Sequence, residues 1–285
     1  MRTSRNISLL LCAAVLGGSL SACGSSTPKG GIVATNSVLA AIVQEVVGDS
    51  AVVETVIPDG KDPHDYQPSA GDIARLANAR VIVANGYGYE PALLKSIASA
   101  RTNGATVFDV EWNFSATGDP HWFTDPLRAA DVMSRLVPVI EKALGVDLDS
   151  RSAVATAEFQ SIVEDGRARL GALAGEHCAY AVEHVLLAPF GDRFECRGTT
   201  VLNMGSRVPD AEPSAADIER FAGDITDRGI KVLLEDASEK SPVLARVAES
   251  TGAVLVQAHV HGMGDAHSYR EYILAIIDTL KAALS

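Results

Sequence analysis

The chain has 285 residues, 47% of them hydrophobic, and a formal net charge of −12 from 36 acidic and 24 basic side chains. Its Lys and Arg are scattered rather than clustered, which argues against a nucleic acid partner and leaves a weak bias toward cations. With a leader set aside, about 260 residues remain, enough for one large or two modest hydrophobic cores.

Met1-Arg-Thr-Ser-Arg5 precedes an apolar run from Ile7 to Leu20, which ends in Leu20-Ser21-Ala22-Cys23. The run is short for a membrane span, and small residues leading to a cysteine are the pattern of a bacterial lipoprotein signal. Residues 1–22 are therefore expected to be removed and Cys23 to carry lipid. Residues 23–30, rich in Gly and Ser, would serve as a tether.

Strand and helix signals then alternate. Ile32–Ala34 reads as a strand, Ser37–Val47 as a helix and Val52–Ile57 as the next strand, and Ser69-Ala-Gly-Asp72 is a capping box opening a helix to Ala79. Arg80–Ala84 returns as a strand, Pro91 begins a helix, and Thr106–Val110 is again a strand. Apolar strands separated by such helices predict a mainly parallel sheet covered on both faces.

Beyond Asp125 a helix is expected to Leu144, then a longer one over 151–173, with Ala155, Phe159, Ile162, Gly166, Leu170 and Leu173 at spacings of three or four. At ~1.5 Å per residue it would span roughly 34 Å and act as a rigid connector. A second series follows: strands at Ala179–Glu183, Thr199–Leu202, Lys231–Leu234 and Ala253–Gln257, a capping box at Ser214–Asp217 opening a helix to Asp227, a helix over Ser241–Ser250, and a final one from Ser268 to Leu284. The fold class is thus α/β: two Rossmann-like βα lobes, residues 31–150 and 174–285, joined by one long helix. A ligand site is expected in the cleft between them, beyond the carboxyl ends of the strands.

In the exported body only Cys178 and Cys196 remain, 18 residues apart. An even pair in an oxidising compartment is expected to form a disulfide, and the alternative, a pair of metal thiolates, lacks a C-x-x-C signature.

Four histidines lie at or near strand ends. His184 and His259 follow strands, His64 lies in the loop after Val52–Ile57, and His121 shares with it an Asp-Pro-His frame. Two would come from each lobe, as an interlobe clamp requires. Neutral imidazole suits Zn(II), and four can complete a tetrahedron, whereas a carboxylate-rich sphere would lean toward manganese. His261 and His267 neighbour His259, so at least one of these three is expected to be a bystander or supporting donor. Glu235, directly after the strand KVLL, could ligate, orient an imidazole or merely begin a loop.

The chain resembles the metal-binding lipoproteins of bacterial zinc and manganese ABC importers, the high-affinity zinc-uptake and adhesin-lipoprotein family of cluster A-I solute-binding proteins. The resemblance rests on DPHDYQPSAGDIARLANARVIVANG (Asp62–Gly86), DPHWFTDP (Asp119–Pro126), Glu212-Pro-Ser214, KVLLED (Lys231–Asp236) and SPVLARVAESTGAVLV (Ser241–Val256). It implies His64 and His121 as the first two metal ligands and His184 as the third, although the aromatics that usually follow the third are missing here. The family's usual aspartate falls on His259, with Asp265 as the rival, while His261 is a possible ligand or supporting donor whose loss is expected to change binding little. The manganese-type glutamate falls near Glu235. The long His- and acid-rich loop of many zinc members is missing between His64 and His121.

The function expected is capture of Zn(II) outside the cytoplasm and delivery to an ABC permease, by a monomer tethered to the membrane through lipid and free of nucleic acid. A manganese or other divalent-cation protein of the same architecture is the alternative. A metallohydrolase would need an open coordination position and a base such as Glu235, and four histidines would close that sphere.

Overall fold

The computed structural model describes residues 30–113, 119–183, 186–201 and 213–285. The first lobe runs β1 (Ile32–Ala34), α1 (Ser37–Val47), β2 (Val53–Thr55), α2 (Ala70–Asn78), β3 (Val81–Ala84), α3 (Leu94–Thr102), β4 (Thr106–Asp109) and the single turn α4 (Val110–Asn113). Two helices follow, α5 (Pro126–Leu144) and α6 (Asp149–Leu170), the latter extended by a 3-10 turn to Leu173. The second lobe holds β5 (Gly175–Val182), α7 (Ala188–Phe194), β6 (Cys196–Val201), α8 (Ala215–Asp227), β7 (Val232–Asp236), α9 (Pro242–Thr251), β8 (Val254–Ala258) and α10 (Tyr269–Leu284).

Both sheets are wholly parallel and share one plan, with strand orders β2-β1-β3-β4 and β6-β5-β7-β8. The central strands are apolar throughout because helices cover both their faces. Alternate residues divide between the two sides: Val33, Ile82 and Ala84 pack outward with Leu76 of α2 and Ile97 of α3. Ala181 and Leu233 pack outward with Phe221, Ile225, Leu244 and Val247 of α8 and α9. The inward residues, Ile32, Ala34, Val81 and Val83 from one sheet and Tyr180, Val182, Val232 and Leu234 from the other, join one continuous core with α1, α5, α6 and α10.

The long helix that links the lobes begins two residues before the expected start and ends as a 3-10 turn, and it buries Ala155, Phe159, Ile162, Gly166 and Leu170 as its spacing predicts. Val163 joins that stripe, while Leu173 is only half-buried. Both capping boxes form, with the Ser69 and Ser214 hydroxyls accepting the N–H of Asp72 and Asp217. Cys178 and Cys196 are disulfide-bonded, joining the neighbouring strands β5 and β6. The leader and Cys23 lie outside the described residues.

Two further ties brace the second lobe, one to the first lobe and one to the connector. Arg193 of α7 donates Nε–H and an Nη2–H to the two oxygens of buried Asp125, the N-cap of α5, at 2.7 and 2.9 Å. On the other flank Arg270 binds Glu158, Ser161 and Asp165 of α6.

Candidate metal centre

His64 and His121 owe their positions to the same local device. In each Asp-Pro-His frame the aspartate Oδ1 accepts the histidine's own backbone N–H at 2.8 Å, Asp62 for His64 and Asp119 for His121. This is an Asx turn, and the intervening proline stiffens it. The His121 loop is pinned further. Its carbonyl accepts the N–H and the hydroxyl of Thr124, and Asn85 donates from its side-chain amide to the Pro120 carbonyl at 2.9 Å.

The partner from the second lobe is His261. His64, His121 and His261 offer ring nitrogens that all lie within 4.8 Å of one another. Nε2 of His121 and Nε2 of His261 are 3.1 Å apart, and both side chains are almost wholly buried. Two such nitrogens cannot both point protons at each other. Either they share one proton or they turn two lone pairs toward a common cation. Asp119 Oδ1 lies 3.2 Å from His121 Nδ1, and Asp236 Oδ1 lies 3.8 Å from His261 Nδ1. A carboxylate behind an imidazole favours the tautomer whose Nε2 lone pair faces the ligand space.

Asp236, the last residue of β7, also accepts the backbone N–H groups of Val260 and His261, at 2.6 and 3.0 Å. Burial alone would raise its carboxyl, but electrostatic attraction to the neighbouring His261 and hydrogen bonds from Ser238 and the His261 backbone outweigh it and hold the group below its ordinary value. Below these rings lies Tyr89, fully buried, with ring centroids 5.3 Å from His64 and 5.9 Å from both His121 and His261. Its hydroxyl has no hydrogen-bond partner among the described residues, and burial keeps it protonated.

One more contact crosses the cleft. Asp59, on the loop that carries His64, accepts the backbone N–H of Met263 at 2.9 Å with the same Oδ1 that the Ser37 hydroxyl reaches.

The expected residues therefore separate. The structure brings His64 and His121 together but joins them to His261 instead of His259. The turn after β8 is set by Asp236, which pulls residues 260 and 261 inward and leaves His259 exposed. The His259 ring lies over Gly264, whose φ of +56° and missing Cβ make room for it. Asp265 is exposed, and with His259, Met263, Glu271 and Tyr272 it lines a separate cavity of about 280 Å³. Glu235 is occupied elsewhere: its two oxygens accept the N–H of Ser241, the N-cap of α9, and the side-chain amide of Gln257 at 2.9 and 2.8 Å. His184 lies outside the described residues, two positions beyond the end of β5.

Tyr89, Asp119 and Asp236 carry no histidine-like signal in the sequence. The aspartates were visible as the first residue of the Asp-Pro-His frame and the last of KVLLED. Tyr89 sits in Gly86-Tyr-Gly-Tyr-Glu90, directly after a buried strand, which is a turn with an aromatic to spare.

The family described as "ZnuA: Zinc-uptake complex component A periplasmic" matches residues 32–283. The metal ABC transporter substrate-binding lipoprotein SloC of Streptococcus mutans is 39% identical over 85 residues, 29% of this chain and 27% of that one. The manganese ABC transporter substrate-binding lipoprotein scaA of Streptococcus gordonii is 36% identical over 97 residues, 32% and 30% of the two chains. The matched stretch thus spans less than a third of these curated relatives. Among solved structures, the solute-binding protein FpvC of Pseudomonas aeruginosa in complex with Mn2+ superposes with a TM-score of 0.75 at 23% identity, covering 89% of this chain and 97% of that one. The periplasmic zinc-binding protein TroA of Treponema pallidum does so with a TM-score of 0.71 at 21% identity, covering 90% and 99%. At such identities the likeness is one of fold.

Proposed function

From its place in the zinc-uptake component A family, to which this chain belongs, we propose that the protein captures Zn(II) and delivers it to the membrane subunits of an ABC importer. Membership makes it a divalent-cation solute-binding protein, extracytoplasmic and lipid-anchored, and not an enzyme. It also implies pairing with an ABC permease. The choice of zinc rests on one observation, the convergence of three imidazoles from two lobes on a buried space. Neutral nitrogen donors at about 2.0–2.1 Å suit Zn(II), while a harder ion such as Mn(II) favours carboxylate oxygen.

In this reading His64, His121 and His261 are ligands, and His184 completes the tetrahedron. Asp119 and Asp236 orient the rings, and Cys23 carries the lipid. Residues 31–150 and 174–285 act as the two jaws about the connector, and the protein works as a monomer.

Manganese is the second reading, supported by kinship with proteins that bind it. The test is metal content after purification without its leader and without added metal, followed by competition titrations with Zn(II) and Mn(II). The zinc reading expects bound zinc and at least a hundredfold preference for it. Bound manganese, or equal affinities, would replace it with the second.

A further inference from the structure

The first turn of α10 carries two buried tyrosines, Tyr269 and Tyr272, spaced three residues apart. Tyr269 donates its O–H to the main-chain carbonyl of Phe123, two residues past His121, at 2.6 Å. Tyr272 donates to the carbonyl of Val260, the residue before His261, at 2.9 Å. One helical turn thus grips the two segments that carry the facing imidazoles, one from each lobe.

The turn itself is firmly seated. The Ser268 hydroxyl caps it by accepting the Glu271 N–H, and Arg270, between the tyrosines, binds Glu158, Ser161 and Asp165 of the connector helix. The tyrosine rings stack with centroids 6.1 Å apart, and Tyr269 meets Phe159 of α6 edge-on at 5.4 Å. Burial pushes both phenols far above their ordinary range, so each stays an O–H donor wherever the protein is folded.

Resting on the metal-capture reading above, we propose that Tyr269 and Tyr272 are paired positioning residues that fix the spacing of His121 and His261 before a cation arrives. Each holds the main chain one or two residues away from an imidazole. A ligand set held at its working separation binds without first ordering its loops, which is the gain of preorganisation. A rigid spacing needs both ends fixed, so losing either hydroxyl frees it and losing both costs little more. Independent contacts would instead contribute additively.

The test uses Tyr269→Phe, Tyr272→Phe, the double variant, and Leu280→Val as a packing control farther along α10, where Leu280 is buried. Zn(II) affinity is measured by competition with a chromophoric chelator, and stability by denaturant unfolding of the same preparations. Each single Phe variant is expected to lose about tenfold in affinity, the double variant about the same tenfold, and Leu280→Val none despite a comparable loss of stability. Parental affinity in either single variant overturns the proposal. So do losses that multiply to about a hundredfold in the double variant, or an equal loss in Leu280→Val. If the double variant does not fold, the two single variants against the control decide. A parent protein that binds no divalent cation would instead remove the metal-capture reading and this inference with it.

Discussion

Asp236 meets His261 at two points, accepting its backbone N–H at 3.0 Å and standing 3.8 Å behind its ring Nδ1. One carboxylate on β7 therefore sets the path of the loop after β8 and stands close behind the imidazole it carries. Removing a partner of this kind ordinarily costs 10–100-fold in metal affinity, roughly. Asp236→Ala should lie in that range and Asp236→Asn nearer the parent in stability, because the amide retains one acceptor for the Val260 and His261 N–H groups. Isothermal titration of the two variants beside the parent checks this; parental affinity in Asp236→Ala would show that the ring needs no such support.

Alanine at 261 and alanine at 259 should behave differently. His261→Ala removes a buried ring from the cluster and is expected to weaken Zn(II) at least tenfold, about 1.4 kcal/mol. His259→Ala and Asp265→Ala alter exposed groups and should bind like the parent. A reversed order would mean that the loop after β8 rearranges on loading.

Glu90 supplies a pH dependence that belongs to the fold and not to the metal. Burial pushes its carboxyl up to about 7, against the opposing hydrogen bonds from Thr35, Asn85 and Gly86. A folded-state value above the unfolded one means that the native state binds the extra proton. Stability contributed by Glu90 is therefore intact below about pH 4.5 and declines as pH rises toward 7. Glu90→Gln should flatten this decline by up to about 3 kcal/mol between pH 5 and 8. Urea unfolding of the metal-free protein across that range is the measurement, and parallel curves for parent and variant would defeat the prediction.

The Cys178–Cys196 bond closes 18 residues. In the chain-entropy account such a closure contributes about 3 kcal/mol. The double Ala variant should melt roughly 6–12 °C lower. Differential scanning calorimetry reads this directly; an unchanged melting temperature would place the covalent bond among redundant ties.

Metal loading should change the relation of the lobes little, since α6 is continuous, the inward faces of both sheets share one core, and Arg193 reaches Asp125 across the lobes. Small-angle scattering with and without Zn(II) should give the same profile. A lobe rotation of more than about 20° would contradict a connector of this stiffness.

The sequence announces what is written locally. Ser69 and Ser214, each followed three residues on by an aspartate, mark helix starts because both partners of a capping box lie within one turn. The apolar runs of β1, β3 and β7 were legible as strands buried on both faces, and the spacing of Ala155, Phe159, Ile162, Gly166 and Leu170 gave the connector. Helix α7 is not legible in the sequence, because a seven-residue segment with Pro189 and Gly191 inside it shows no period. Counting outward from β8 selects His259 over His261 because it assumes that the chain continues straight. What turns it is the Asp236 carboxylate, about two dozen residues away in sequence, and such a long-range hydrogen bond leaves no local pattern.

The clasp between Asp59 and Met263 also bears on which substitutions the cleft can tolerate. Asp59 recognises the amide of residue 263 and not its side chain, so this contact itself excludes only proline, which lacks the N–H, while the Met263 side chain packs separately against the main core. The constraint passes to its neighbour, because a Cβ on Gly262 would stand 3.0 Å from the Asp59 carboxylate oxygen. Of the two adjacent residues, the clasp constrains 263 only through its amide, whereas at 262 an added side chain would press on the carboxylate and shift it.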